Sequence, residues 1–115
     1  MTAVANDREG PSLSVCVLTC NDEAILAGCL KAARFADEIV VVVDAKSTDG
    51  SEPIARDLAT EVSLHRYLGD IEQKRHALSL AESEWVLLLD SDEVVSEALA
   101  NEIREFLANR SQDRR

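Results

Sequence analysis

The fold turns on one stretch, Trp85-Val86-Leu87-Leu88-Leu89-Asp90-Ser91-Asp92-Glu93. Its apolar run is too short for a helix face and reads as a strand buried on both sides. The strand stops abruptly in three carboxylates within four residues. Strand alternation sends Asp90 and Asp92 toward the same side, with Ser91 between them. Like charges held that close repel, and without a compensating cation one of them tends to take up a proton. A hard divalent ion such as Mg²⁺ or Mn²⁺, carrying a phosphate, removes the conflict because it prefers oxygen ligands. The plainer reading is a polar strand end leading into a helix N-terminus, where acids suit the helix dipole. On these residues alone both readings stay open.

The whole chain, at 115 residues, is one domain able to bury a single core. A formal net charge of −10 argues against nucleic acid or an anionic membrane as partner. It leaves room for a phosphate met locally by a metal or by helix N-termini. No apolar run approaches membrane-spanning length, and the polar start gives no sign of a signal peptide. Cys16, Cys20 and Cys29 are odd in number, and Cys16 and Cys29 fall at apolar positions. Free thiols in a reducing cytoplasm fit better than a disulfide frame or a zinc site.

Working outward, residues 1–12 have no periodicity and read as a loose tail. Ser14 to Thr19 form a first strand. Asn21 or Asp22 caps a helix whose inner face is Ile25, Leu26, Cys29, Leu30 and Ala33. Glu38 to Val43 is the most β-branched run and a second strand. A turn-rich connection, Asp44-Ala45-Lys46-Ser47-Thr48-Asp49-Gly50-Ser51, leads to a short helix with Pro53 in its first turn and Ile54 and Leu58 inward. Glu61 to Arg66 alternates as an edge strand does. A third helix, roughly 70–82, turns Ile71, Ala77, Leu78 and Ala81 inward. The opening stretch supplies the fourth strand. Ser96 then caps a last helix with Leu99, Ile103, Phe106 and Leu107 inward, and 110–115 is a frayed polar end.

Strand and helix alternating four times predict a parallel sheet with right-handed crossovers. In such sheets ligands bind beyond the carboxyl ends of the strands. Each unusual polar cluster follows a strand: residues 19–22, 44–51, 66–70 and 90–93. The reading therefore places all four at one rim. It also leaves the outer edge of the fourth strand uncovered, predicting marginal stability or self-association.

These clusters resemble a known family. Val17-Leu18-Thr19-Cys20-Asn21-Asp22-Glu23 is similar to the opening of family 2 glycosyltransferases, a strand into Thr-x-Asn-Glu-Glu. Val43-Asp44 followed by Ser47-Thr48-Asp49-Gly50-Ser51 resembles the family's strand ending in Asp and its Gly-Ser-Thr-Asp-Gly-Thr turn. Gln73-Lys74-Arg75-His76-Ala77-Leu78 resembles its Gln-Lys-Asn-x-Ala-Leu helix, and Glu84 to Glu93 its Asp-Trp-Val-Leu-x-Leu-Asp-Ala-Asp-Glu. The nearest flavour is the bacterial branch that decorates lipopolysaccharide cores and other cell-envelope glycans.

The resemblance implies a GT-A (Rossmann-like) three-layer α/β sandwich, here a truncated one spanning 13–109. It implies a nucleoside-diphosphate sugar as donor and a glycan or lipid-linked acceptor, with the protein in the cytoplasm or at the inner face of the membrane. Thr19 and Asp22 would lie beside the nucleoside, Asp44 would bind the base or ribose, and Lys74 would approach the nucleotide. Asp90 would face the ribose and the metal, and Asp92 would ligate Mg²⁺ or Mn²⁺ directly. That ion would neutralise the diphosphate leaving group.

Departures from the pattern matter too. Ala45 stands where many relatives carry a second Asp. Lys46 replaces a turn glycine and reads as solvated. Arg75 replaces the usual Asn. The family's second half carries the acceptor site and the general base, and no residue after Glu93 supplies that base, so no catalytic residue is assigned. Either the chain is a fragment or truncated product, or a partner chain completes the site, or the chain binds donor without turning over. A non-catalytic nucleotide-binding module or an inactive remnant is the alternative.

Other motifs are read more plainly. His65 and His76 have no third ligand type beside them, so a metal role is not expected. Trp85 reads as core, and Ser47, Thr48, Asp49 and Ser51 as turn and cap residues. A haloacid-dehalogenase-type phosphotransferase also uses Asp-x-Asp after a strand, but early in its chain and with a Lys downstream. A dinucleotide oxidoreductase lacks its Gly-x-Gly-x-x-Gly here.

Overall fold

The computed structural model describes residues 1–6 and 12–113. Five strands and four helices follow one another as β1 (Thr2–Ala5), β2 (Leu13–Thr19), α1 (Glu23–Ala32), β3 (Glu38–Asp44), α2 (Ser51–Leu58), β4 (Glu61–His65), α3 (Asp70–Leu80), β5 (Trp85–Asp90) and α4 (Glu97–Asp113). The sheet order is β1-β5-β2-β3-β4. Strands β5, β2, β3 and β4 run parallel, as the alternation predicts.

The three central strands are buried on both faces, which is why they read as unbroken apolar runs. Alternate residues sort into two cores. Val15, Val17, Val41, Val43 and Leu89 pack against Leu26 and Leu30 of α1, with α2 and α4 on the same face. Cys16, Val40, Val42 and Val86 meet Ala77 and Ala81, beside and within α3, on the other. The result is a three-layer sandwich. Each fully buried Val contributes about 1.5–3 kcal/mol of transfer free energy. β4 is the edge strand its alternation predicted.

The amino terminus departs from its expected loose form. Thr2–Ala5 pairs antiparallel with β5, from Thr2 opposite Leu88 to Ala5 opposite Trp85. Open N–H and C=O groups along an apolar strand need partners, and this segment supplies them. The edge expected to be uncovered is therefore covered, and the sheet has five strands with one antiparallel. Residues 7–11 of the expected tail lie outside the described residues.

Helix boundaries and faces also shift. Ser96 does cap α4, accepting the Leu99 N–H at 3.1 Å. The backbone stays helical to Asp113, past the expected fraying point at 110, while 114 and 115 lie outside the described residues. Helix α3 ends at Leu80, where Ala81 turns extended. Ile25, Ile71 and Phe106, assigned inward by spacing, are exposed at 43%, 69% and 51%. Phe106 still meets Trp85 edge to face. Spacing selects a helix face, but a residue at the margin of that face stays in water when no neighbouring element reaches it.

Deleting residues 1–6 is expected to lower the unfolding free energy by on the order of 2 kcal/mol, the scale of a few backbone hydrogen bonds, and to promote self-association. Urea denaturation and sedimentation check this. A shortened chain that stays monomeric and equally stable would show that β1 does not protect β5.

Candidate functional site

The parallel ladders end level with one another. Leu18 stands opposite Asp90, Thr19 opposite Val43, and Asp44 opposite His65. The segments leaving these strands meet at a cleft of about 320 Å³. It is lined by Thr19, Cys20 and Asp22 after β2, by Asp44 of β3, by Tyr67, Asp70 and Gln73 at the start of α3, and by Asp90 of β5. All four post-strand clusters contribute to this rim or to its support.

The loops after β2 and β3 hold each other through reciprocal hydrogen bonds. Asn21, in the left-handed region at φ 52°, gives its N–H to Ser47 Oγ and accepts the Thr48 N–H on Oδ1. The Asp22 N–H donates to Ser51 Oγ, and the Gly50 N–H to Glu23 Oε2. Asp49 accepts the N–H groups of Glu23 and Ser51, each at 2.9 Å, and the Ser47 hydroxyl. Desolvation pushes the Asp49 carboxyl up, but these donors outweigh it and hold it below its ordinary range. The free N–H groups of two helix starts are thereby satisfied by the neighbouring loop.

The acidic motif takes a different shape from an extended strand. The Glu93 N–H donates to the Asp90 carbonyl at 2.9 Å and closes a turn over residues 90–93. Ser91 is 4% exposed and its hydroxyl donates to Asp22 Oδ2, so the motif is docked onto the loop after β2. Asp90 and Asp92 both face solvent, on account of the turn rather than of strand alternation. Glu93 folds back instead: it accepts the Asp90 N–H at 2.9 Å and pairs with the Met1 ammonium at 2.7 Å. Those contacts, the Asp90 N–H first, hold its carboxyl below its ordinary range.

The expected site residues are thus distributed as follows. Thr19, Asp22, Asp44 and Asp90 line the cleft. Asp92, inside the turn, is not part of its lining. Lys74 lies beside Asp90 and Glu93 in a separate hollow of about 20 Å³. Asp22 is engaged by the hydroxyls of Thr19 and Ser91, and Asp44 by the Lys46 N–H and the Cys20 thiol. Asp70 accepts the Tyr67 hydroxyl at 2.6 Å, a bond that pushes the Tyr67 phenol up. Neither the Asp90 nor the Asp92 carboxylate has a hydrogen bond or ion pair among the described residues.

Among the described residues the cleft lining carries four carboxylates and no cationic side chain. Among the described residues no group of three or more His, Cys, Asp or Glu side chains surrounds a metal position. Two free hard-oxygen donors fit an ion that keeps its waters and takes the rest of its shell from a bound phosphate, as Mg²⁺ does. Cys20, Tyr67, Asp70 and Gln73 were given no individual role from sequence. The polar cluster at 66–70 pointed to two of them. Gln73 carries its signal in the Gln-Lys motif, and Cys20 lies within the polar cluster at 19–22.

Solved structures share this fold. S. aureus TarS (residues 1–349) superposes with a TM-score of 0.71 at 29% identity, over 85% of this chain and 32% of that one. The mannosyltransferase PcManGT from Pyrobaculum calidifontis, in complex with GDP-Man and Mn²⁺, gives 0.67 at 27% identity over 88% and 34%. The fold is GT-A. Residues 14–112 match the model of glycosyl transferase family 2, and the chain belongs to that family. An uncharacterized glycosyltransferase of Rickettsia typhi is 36% identical over 102 residues, 89% of this chain and 35% of the relative. The lipopolysaccharide core biosynthesis glycosyltransferase LpsC of Rhizobium meliloti is 31% identical over 101 residues, 84% and 37%. The chain spans about a third of the length of these relatives. Among the described residues no helix is long and apolar enough to cross a membrane.

Asp49→Asn should lower the melting temperature at neutral pH by loosening both loops. A carboxyl held below its ordinary 3.8 contributes stability above that value and loses it as pH falls through the folded-state value. The gap between variant and wild type should therefore close in acid, as thermal melts from pH 7 to pH 3 would report. A gap independent of pH would show that the charge is not what holds the loops.

Proposed function

We propose that this chain is the donor-binding part of a metal-dependent family 2 glycosyltransferase that takes a nucleoside-diphosphate sugar. The observation that carries the reading is the pair of carboxylates Asp90, which lines the cleft, and Asp92, two residues on in the same turn: among the described residues neither has a partner, and the cleft lining holds acids and no cation. A diphosphate approaching those acids meets repulsion unless a cation lies between. Mg²⁺ or Mn²⁺ held by Asp92, with Asp90 beside it, fits that need, and the Mn²⁺ in the PcManGT complex supports it. When bound, the ion neutralises the charge that develops on the departing diphosphate.

The chain's own residues divide the remaining work. Asp44, at the far wall of the cleft, accepts N–H or hydroxyl donors of the base or ribose. Thr19 and Asp22 border the nucleoside, and Ser91 keeps the acidic turn against Asp22. Lys74, next to Asp90 and Glu93, offers a positive charge to the nucleotide. A glycan or lipid-linked acceptor of the cell envelope, met at the inner face of the membrane, is supported by the likeness to LpsC. Acceptor binding and the base that activates it fall to segments or partner chains beyond these residues. Binding of donor without turnover is the second reading.

Calorimetry with UDP and with GDP, each with and without Mn²⁺, tests this. Metal-dependent binding is expected, and Asp92→Ala should weaken it at least as much as the ~10–100-fold that loss of an outer partner of a metal site costs. A folded chain that binds neither of these nor CMP or dTDP would overturn the donor reading. Slow donor hydrolysis by the chain would exclude the binding-only alternative.

A further inference from the structure

Behind the cleft wall, between β4 and α3, two histidines are stacked. The rings of His65 and His76 lie 3.8 Å apart at 15° to one another. His65 Nδ1 is 2.8 Å from Gln73 Oε1, while Gln73 Nε2 donates to the His65 carbonyl at 3.4 Å. One residue thus grips both ends of the Gln73 amide. The same carbonyl also accepts the Ala45 N–H at 3.1 Å, which ties the grip to the loop carrying Asp44. Gln73 is 3% exposed and lines the cleft. On the outer side, His76 Nε2 is 2.8 Å from Ser63 Oγ.

We propose that His65 is a positioning residue for the cleft, fixing the Gln73 amide toward a bound nucleotide, and that its stack with His76 makes this positioning depend on pH. An amide has two N–H donors and two acceptor lone pairs. The grip uses one of each and leaves one of each for a ligand. Neutral imidazoles stack without penalty, whereas two imidazolium rings at this separation repel, so a second proton has to part them. Parting the rings releases Gln73.

The surrounding charges set where this happens. Burial pushes His76 below its ordinary 6.5, the His65 ring pushes it further, and Glu61 on β4 opposes both. Asp44 stands opposite His65 on β3, and α3 carries the Glu72–Arg75 ion pair alongside. His76 is therefore held neutral above its ordinary 6.5, and the grip weakens on the acid side. The effect on nucleotide rests on the donor site proposed above, whereas the grip on Gln73 does not.

The test joins two readouts on the whole chain. The Gln73 side-chain amide is followed by NMR from pH 8 to pH 5, and GDP and UDP with Mn²⁺ are titrated calorimetrically over the same range. In the wild type the Gln73 resonances should move with the imidazole titration. Nucleotide affinity should fall about tenfold more on acidification than in His76→Asn, the size of one hydrogen bond lost. His65→Phe keeps a ring to stack and removes the donor. It should weaken nucleotide about tenfold at pH 7.5 and flatten the pH profile, and His65→Asn, whose amide mimics Nδ1–H, should recover most of that loss. Circular dichroism confirms that each variant is folded. Gln73 resonances that ignore the histidine titration, or a folded His65→Phe that binds as wild type does, would overturn the proposal. Gln73 resonances that follow the histidines in a chain that binds no nucleotide would uphold the positioning of Gln73 and overturn the donor reading alone.

Discussion

Three adjacent strands sealed on both faces leave no place for a charge along their length. Every acid that β2, β3 and β5 bring with them is pushed to an end, and parallel pairing makes the ends level. Leu18 opposite Asp90 and Thr19 opposite Val43 are consequences of that burial before they are features of a site. The cleft exists because the core cannot tolerate what lines it.

Leveling the strand ends is only half of the construction. Segments leaving β2 and β3 would fray if each had to satisfy its own backbone. Here each caps the other's helix start: Asp49 holds the first N–H of α1, and Glu23 reaches back to the N–H of Gly50. An added Cβ at Gly50 would approach Glu23 Oε2 to 2.6 Å, so any larger residue there would push the Glu23 carboxylate off the N–H it accepts. Gly69, at φ 112°, serves the third loop differently, letting the chain reverse into α3 in a conformation that side chains resist. The rim is therefore rigid where β2 and β3 end and is set by one backbone kink where β4 ends.

Much of this was legible in the residues. The β-branched run at 38–43, the helical spacing around Leu26 and Leu30, and the polar clusters after each strand are strong periodic or compositional signals, and they placed four of the five strands and the cleft. Thr2–Ala5 escaped because a four-residue strand of small side chains has no period of its own, and its partner lies some eighty residues away. Gln73 was legible as the head of the Gln-Lys motif, but its burial was not. It is a polar residue on a helix, and only the tertiary contact with His65 explains its burial. Ile71 shows the same blindness in reverse, an apolar side chain in the first turn of α3 that is left in water.

The three thiols divide sharply. Burial pushes Cys16 up to about 12 and Cys29 up to about 11, and both are sealed in the cores. Cys20 is exposed on the cleft wall, its thiol raised by partial burial and by Asp44, which it also hydrogen-bonds. Thiolate reagents therefore have one address in the native chain, and the nearby carboxylates make them slow to use it at neutral pH. A small fluorophore attached there under mildly alkaline conditions would sit on the wall of the cleft without any engineered cysteine. Protection of that single thiol would read occupancy of the cleft directly, in a protein whose reaction need not be known to be followed.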